Sequence, residues 1–352
     1  MRADDARPAP ADPVGMRKIY LVSLAIVTVS LAFIASYSAA LHAPTPHEVP
    51  LAVGRDVPAN VAAQLDRSPA LSVVRSTDPL RALDRREAYG ALTLDGGRLK
   101  LTTAPAASSA IATLLNAEVL PGKVEHAAVH ALAADDNRGL IGTYTVIGWV
   151  IAGYLGATLF GMTFGTRGRL SLRLGALAAV GLVVGLGGAL LAKSLGGLPG
   201  PWLGLSLLGA LIVAAVGAVT VALQAWFGIA GTGIAILLFV VLGNPSSGGL
   251  AAPELLPAFW RDIGQALPVG AGVTAFRDAA YFPAAALLPS IATLLFWAVA
   301  GVALAVGQAA ASSGAARRRL SASSSRWRMS RGRSRRTLAV SEGVDGFAPE
   351  SP

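Results

Sequence analysis

His126 and His130, four residues apart and preceded by Glu125, are the first residues to weigh as a metal site. The hydrolytic zinc pattern H-E-x-x-H needs a glutamate directly after the first histidine, on a helix that stacks the two imidazoles. Ala127 holds that place here. The alternation of VEHAAVHAL (124–132) predicts a strand, where residues four apart share a face but lie too far apart to chelate easily. The pair reads as surface histidines, and no metal ligands are assigned. GGALLAKS (187–194) has the outline of a phosphate-binding loop, G-x-x-x-x-G-K-[ST]. Ala192 replaces its second glycine, and the segment lies in an apolar helix with no strand before it, so it is rejected. The absence of cysteine excludes disulfides, thiolate metal sites and a cysteine nucleophile. No paired carboxylates and no Ser/His/Asp set stand out. The chain does not read as an enzyme, and no catalytic residue or cofactor is assigned.

The other residues that could do chemistry gather in LGNPSSGGLAAPELLPAFWRDIGQALPVGAGVTAFRDAAYF (242–282), between two apolar runs. This stretch is too polar and too rich in Pro and Gly to cross a membrane. FWRDIGQALP predicts a short amphipathic helix with Phe259, Ile263 and Leu267 on one face. We read residues 244–283 as a structured cap at the membrane surface, since irregular backbone at that depth must be satisfied by protein or water. Candidate substrate-contacting or cap-shaping residues are Asn244, Pro245, Ser246, Ser247 and Gly248 at its mouth. Trp260, Arg261, Asp262, Arg277 and Asp278 follow within it. The pairs Arg261-Asp262 and Arg277-Asp278 are adjacent in sequence, so their members point different ways on a helix.

The elements that position this stretch follow from composition. The chain has 352 residues, 53% hydrophobic and 14% charged, against about 25% charged in a soluble domain. Long apolar runs account for the deficit and predict an α-helical polytopic membrane protein. Residues 1–18 form a cytoplasmic segment whose first fifteen are expected to be unstructured. A first span at 19–41 is long enough, at 1.5 Å per residue, for a ~30 Å hydrocarbon core. The alternative is a cleaved leader with a small-residue site at Ser38-Ala39-Ala40. Leader cores run to only about 7–15 residues, which favours an anchor. Residues 42–140 are mixed and nearly neutral in charge. They predict a small extracytoplasmic α/β domain of order βαβαββαβ, with Asp78-Pro79 starting a helix and Asp95-Gly96-Gly97 turning a hairpin. Asp135 to Gly139 reads as a polar interfacial turn.

Spans two to six are expected at 143–164, 174–195, 202–223, 228–243 and 284–307, within a membrane domain covering 141–309. The short loop GTRGRLSLR carries Arg167, Arg169 and Arg173 and no acid, which places it in the cytoplasm. Both termini then lie in the cytoplasm as well. Gly181, Gly185 and Gly188 mark a small-residue face for close helix packing. Lys193, at the outer end of its span, snorkels. Residues 310–352 form a basic tail, expected to be disordered, whose arginines touch anionic lipid at roughly 1 kcal/mol each. With little aromatic interleaving beyond Trp327, no nucleic-acid partner is assigned.

One span, a large insert and five further spans with a cap before the last is similar to the ABC-2-type transporter permeases. More closely it resembles the phage-infection-protein (Pip/YhgE-like) branch in its shorter actinobacterial form. LGNPSSGG (242–249), PELLPAFWRDIGQALPVGAG (253–272) and FRDAAYF (276–282) carry the resemblance, supported by AYGAL (88–92) and the DDNRG approach to the second span. The very long coiled insert of larger members is missing, which speaks against a phage-receptor role. The resemblance implies a permease-like homodimer in the bacterial inner membrane and supplies no catalytic residues. The first functional expectation is export of an amphipathic or envelope-related substrate, powered by a separate ATPase docking at Arg167, Arg169 and Arg173. The alternative is an envelope scaffold or receptor whose extracytoplasmic domain binds a partner without transport.

Overall fold

The computed structural model describes residues 13–283 and 285–341. Helix α1 (Pro13–Leu41) opens the described chain. It begins earlier than expected, because a proline is well suited to the first turn of a helix. Residues 1–12, also expected to be unstructured, lie outside the described residues.

Five strands and three helices follow in the predicted order: β1 (Val49–Gly54), α2 (Ala59–Leu65), β2 (Leu71–Ser76), α3 (Pro79–Asp84), β3 (Gly90–Asp95), β4 (Arg98–Thr103), α4 (Ser109–Glu118) and β5 (Val124–Ala128). The strands form one sheet in the order β2-β1-β3-β4-β5, antiparallel only at β3–β4. That hairpin turns through Gly96 and Gly97 at φ 54° and 81°, a left-handed pair that glycine adopts at no steric cost. Asp78 caps α3 by accepting from the Arg81 amide at 3.0 Å.

Helices α5 (Leu140–Phe164), α6 (Leu170–Gly196) and α7 (Trp202–Phe227) then pack side by side. Gly185 and Gly181 let the backbone of α6 approach α7, and Gly188 and Gly209 make room for Trp149. The Trp149 indole donates to the Val184 carbonyl at 3.0 Å. Next comes α8 (Ala230–Ile236), continued through a π-helical turn (Leu237–Gly243) into α9 (Asn244–Ser246). A 3-10 turn (Pro253–Leu255), α10 (Ala258–Gly264) and α11 (Pro268–Tyr281) build the cap, and α12 (Leu288–Ser341) ends the described chain.

Among the described residues five helices are long and apolar enough to cross a membrane: Tyr20–Leu41, Leu140–Phe164, Leu170–Gly196, Trp202–Phe227 and Leu288–Gly314. The protein is therefore a mostly helical, membrane-embedded chain. The stretch expected as a fifth of six spans forms the shorter apolar helix Ala230–Ser246. At 1.5 Å per residue its straight length falls short of a ~30 Å core.

Three differences from expectation have physical causes. The predicted amphipathic helix breaks after Gly264, because Pro268 disfavours helical backbone at Leu267. Gly264 also packs directly on the Ser246 carbonyl, where no side chain fits. As a result Phe259 is exposed, while Trp260 is buried against Ala40 and Leu256. Second, the sheet does not have a core of its own. Leu51, Leu92, Leu101, Ile111 and Leu115 share one apolar cluster with Ala252, Leu255 and Phe282 of the cap region. Third, α12 runs on to Ser341, through the Arg-rich stretch expected to be disordered, and residues 342–352 lie outside the described residues. Arg, Ala, Leu and Met are good helix formers, and no proline interrupts the stretch. From Val306 onward this segment belongs to a second unit by itself.

Candidate functional site

A cavity of about 610 Å³ opens where the sheet meets the cap and the first turns of α12. That volume lies within the usual range for small-molecule sites, roughly 300–1,000 Å³. Its walls bring together residues far apart in sequence. Arg86 comes from the turn after α3, Tyr89 precedes β3, and Glu254 lies in the 3-10 turn. Arg261 and Gln265 come from the end of α10, and Asp278 from α11.

Local chemistry sets each in place. α3 ends with Arg86 at φ 56°, the left-handed position usually held by glycine. The Arg86 and Glu87 amides donate back to the Leu83 and Ala82 carbonyls at 2.9 and 2.8 Å. A non-glycine residue there costs roughly 1–2 kcal/mol. An ion pair offsets that cost: the Arg86 guanidinium lies 2.6 Å from Asp278 Oδ1, with both side chains almost wholly buried. The Tyr89 hydroxyl donates to Glu254 Oε2 at 2.7 Å. Burial, and then the Glu254 charge, hold the Tyr89 phenol well above its usual range, so it stays a donor. Thr274 donates to Gln265 Oε1 at 2.8 Å, while the buried Gln265 Nε2 has no acceptor among the described residues.

The residues singled out in sequence divide into three groups. Arg261 and Asp278 line the cavity. Arg277 stands behind it and donates to the Gly248 carbonyl at 3.3 Å. Burial, followed by the nearby Arg86 charge, lowers its pKa to about 10, which leaves it a cation at neutral pH. Asp262 points outward, though its carboxylate lies 3.6 Å from Arg261 Nε. That approach corrects the expectation that adjacent residues point apart, but so exposed a pair contributes only about 0–1 kcal/mol. Asn244, Pro245, Ser246, Ser247 and Gly248 do not form an open mouth. All five are buried and form the joint that ends the π-helical turn. Ser246 and Ser247 donate to the Leu242 and Asn244 carbonyls, each at 2.7 Å, and Gly248 turns with φ 77°. Trp260 is cap core.

The loop arginines divide as well. Arg169 is exposed, and Arg167 caps the end of α7 by donating to the Ala225 carbonyl at 3.1 Å. Arg173 is not on the surface at all, being 1% exposed. It donates to the Thr166 carbonyl at 2.6 Å and to Gln224 Oε1 at 2.5 Å. Gln224 donates in turn to Thr232 at 2.9 Å. Gly161 leaves the necessary room, since a Cβ there would stand 2.6 Å from Gln224 Oε1. No acid pairs with Arg173 among the described residues.

His130 Nε2 donates to Asp84 Oδ1 at 2.8 Å and the ring lies against Phe282, while His126 meets Asn116. No group of metal-ligating side chains occurs among the described residues. Sequence reading missed Arg86, Tyr89, Glu254 and Gln265 as site residues. The one available signal was the charged run Arg85-Arg86-Glu87 between a capped helix and a strand. Comparison with protein-family models, curated proteins and solved structures gives no match.

Proposed function

We propose that this chain is the membrane subunit of an ABC-2-type export system of the Pip/YhgE-like branch, moving an amphipathic, envelope-related substrate with a separate ATPase. The supporting observation is the cavity of about 610 Å³ lined jointly by the sheet, the cap and the start of an apolar helix. A polar recognition site placed beside a span suits a molecule with one polar and one apolar end. In this reading Ala230–Ser246 is the fifth of six crossing elements, the bilayer thinning locally around it. The sheet region is extracytoplasmic, both termini are cytoplasmic, and the subunit works as a homodimer in the bacterial inner membrane. The ATPase docks at Arg167 and Arg169. Arg173 is withdrawn from that surface by its buried hydrogen bonds.

A second reading, an envelope receptor without transport, is favoured by a hollow of about 680 Å³ on the sheet region. Asp56, Thr93, Asp95 and Lys100 line it, and no cap residue does. Purification of the full chain from its native membrane in mild detergent, followed by an ATP hydrolysis assay, separates the two. Export predicts a stoichiometric ATPase subunit that hydrolyses ATP. A preparation free of ATPase even after crosslinking overturns export in favour of the receptor. Removing residues 45–138 is no substitute, because it would strip the cap of its shared core.

A further inference from the structure

We infer that the junction cavity holds the headgroup of a zwitterionic amphiphile, a phosphodiester paired with an ammonium group, with its acyl chains lying along α12. The inference deepens the export reading by naming its cargo class, and it rests on that reading for the word cargo alone.

The charges of the wall carry the argument. Three arginines and three acids line the cavity. Arg86 and Asp278 cancel each other at 2.6 Å, and Arg85 and Glu87 pair at 3.8 Å. One cation and one anion remain, Arg261 and Glu254. Arg261 has only the outward Asp262, which is not part of the wall, as a partner. Its guanidinium keeps N–H groups for a phosphate, where charge-assisted bonds are strong. The unpartnered Gln265 amide lies in the same wall and adds a second donor. Glu254 accepts from Tyr89 through Oε2 alone, leaving Oε1 for an ammonium. A singly charged ligand would leave one of these two charges facing the cavity with no ligand group to meet it.

The apolar half follows from the other wall. Pro289, Ser290 and Thr293, in the first turns of α12, face the cavity. On the same helix Leu288, Phe296 and Val299 are 76%, 66% and 65% exposed. A headgroup seated in the cavity would therefore have an apolar track for its chains, which a free phospho-amine would not use.

Calorimetric titration of the full chain in a neutral maltoside detergent tests this without any ATPase, so its failure is separate from failure of the export reading. The probes are dihexanoyl-phosphatidylethanolamine, the anionic dihexanoyl-phosphatidylglycerol and chain-free glycerophosphoethanolamine. The first is expected to bind at least about tenfold more tightly than the other two, the size of one charge-assisted hydrogen bond for the phosphatidylglycerol and of about two buried methylenes for the chain-free headgroup. Arg261→Gln and Glu254→Gln should each weaken it by about tenfold at unchanged melting temperature. Glu254→Gln keeps a side-chain oxygen that can accept from Tyr89, and Arg261 is partly exposed, so both variants should fold. Equal affinity for the phosphatidylglycerol overturns the zwitterion, and equal affinity for the chain-free headgroup overturns the lipid. Unchanged binding in both variants overturns the site.

Discussion

At the sheet–cap junction, Arg86 and Asp278 meet across 192 residues of sequence, beside an open cavity. Between α5, α6 and α7, Arg173 is held with no acid at all, by two carbonyls and one amide in a closed space. An isolated charge moved into a dry interior would cost tens of kcal/mol, so each region must answer that cost. The junction does so at Arg86 with the opposite charge of Asp278, in the wall of an open cavity. The bundle does so with oriented dipoles from α5, α7 and the loop between α5 and α6, which meet every group of the guanidinium except Nε. The difference separates a place that can receive a ligand from a place that fastens helices.

The contrast is sharpest in what each region loses with a single side chain. Asp278→Ala orphans the buried Arg86, and the expected loss is about 3–5 kcal/mol, read as a large fall in melting temperature in detergent. Arg173→Met removes the cation itself and orphans no opposite charge. It should cost less, about 1–3 kcal/mol for the hydrogen bonds and the unsatisfied Gln224 oxygen. Adding Gln224→Leu should restore part of that loss, because exchanging both partners for apolar groups is nearly neutral. If Arg173→Met proves as damaging as Asp278→Ala, the distinction between a charge paired with an acid and a charge held by dipoles collapses. Tyr89→Phe frees a Glu254 oxygen that cavity water can solvate, so only about 1 kcal/mol should be lost by the same measurement. Smallest of all is Asp84→Asn, since Asp84 is half exposed in its contact with His130. The change should fall within about 0–1 kcal/mol and shrink further in high salt.

Much of the scaffold could be read locally because its causes are local. The strand-and-helix order of the sheet region, the Gly96-Gly97 turn and the Asp78 cap each depend on a few neighbouring residues. The packing of Gly181, Gly185 and Gly188 was legible for the same reason, since three small residues on one apolar face have few other uses. The site was legible only in part. Arg261 and Asp278 drew notice as charges in the polar stretch between two apolar runs. Arg86 did not, because nothing in its own neighbourhood announces that Asp278 will stabilise a left-handed arginine. Arg173 looked like loop because it follows two other loop arginines. Its burial depends on Gly161 and Gln224, which come from other helices.

The sequence by itself determined that this is a membrane-embedded helical chain with a mixed sheet region between its first two apolar helices. Hydropathy and alternation are sums over adjacent residues, and they suffice for that. Only the tertiary structure decided that the sheet and the cap share one core, that the cap helix divides at Gly264, and which arginine faces a cavity and which a carbonyl. Those outcomes depend on contacts between segments distant in sequence. A charge is stable or costly according to what meets it there, and local pattern does not record that.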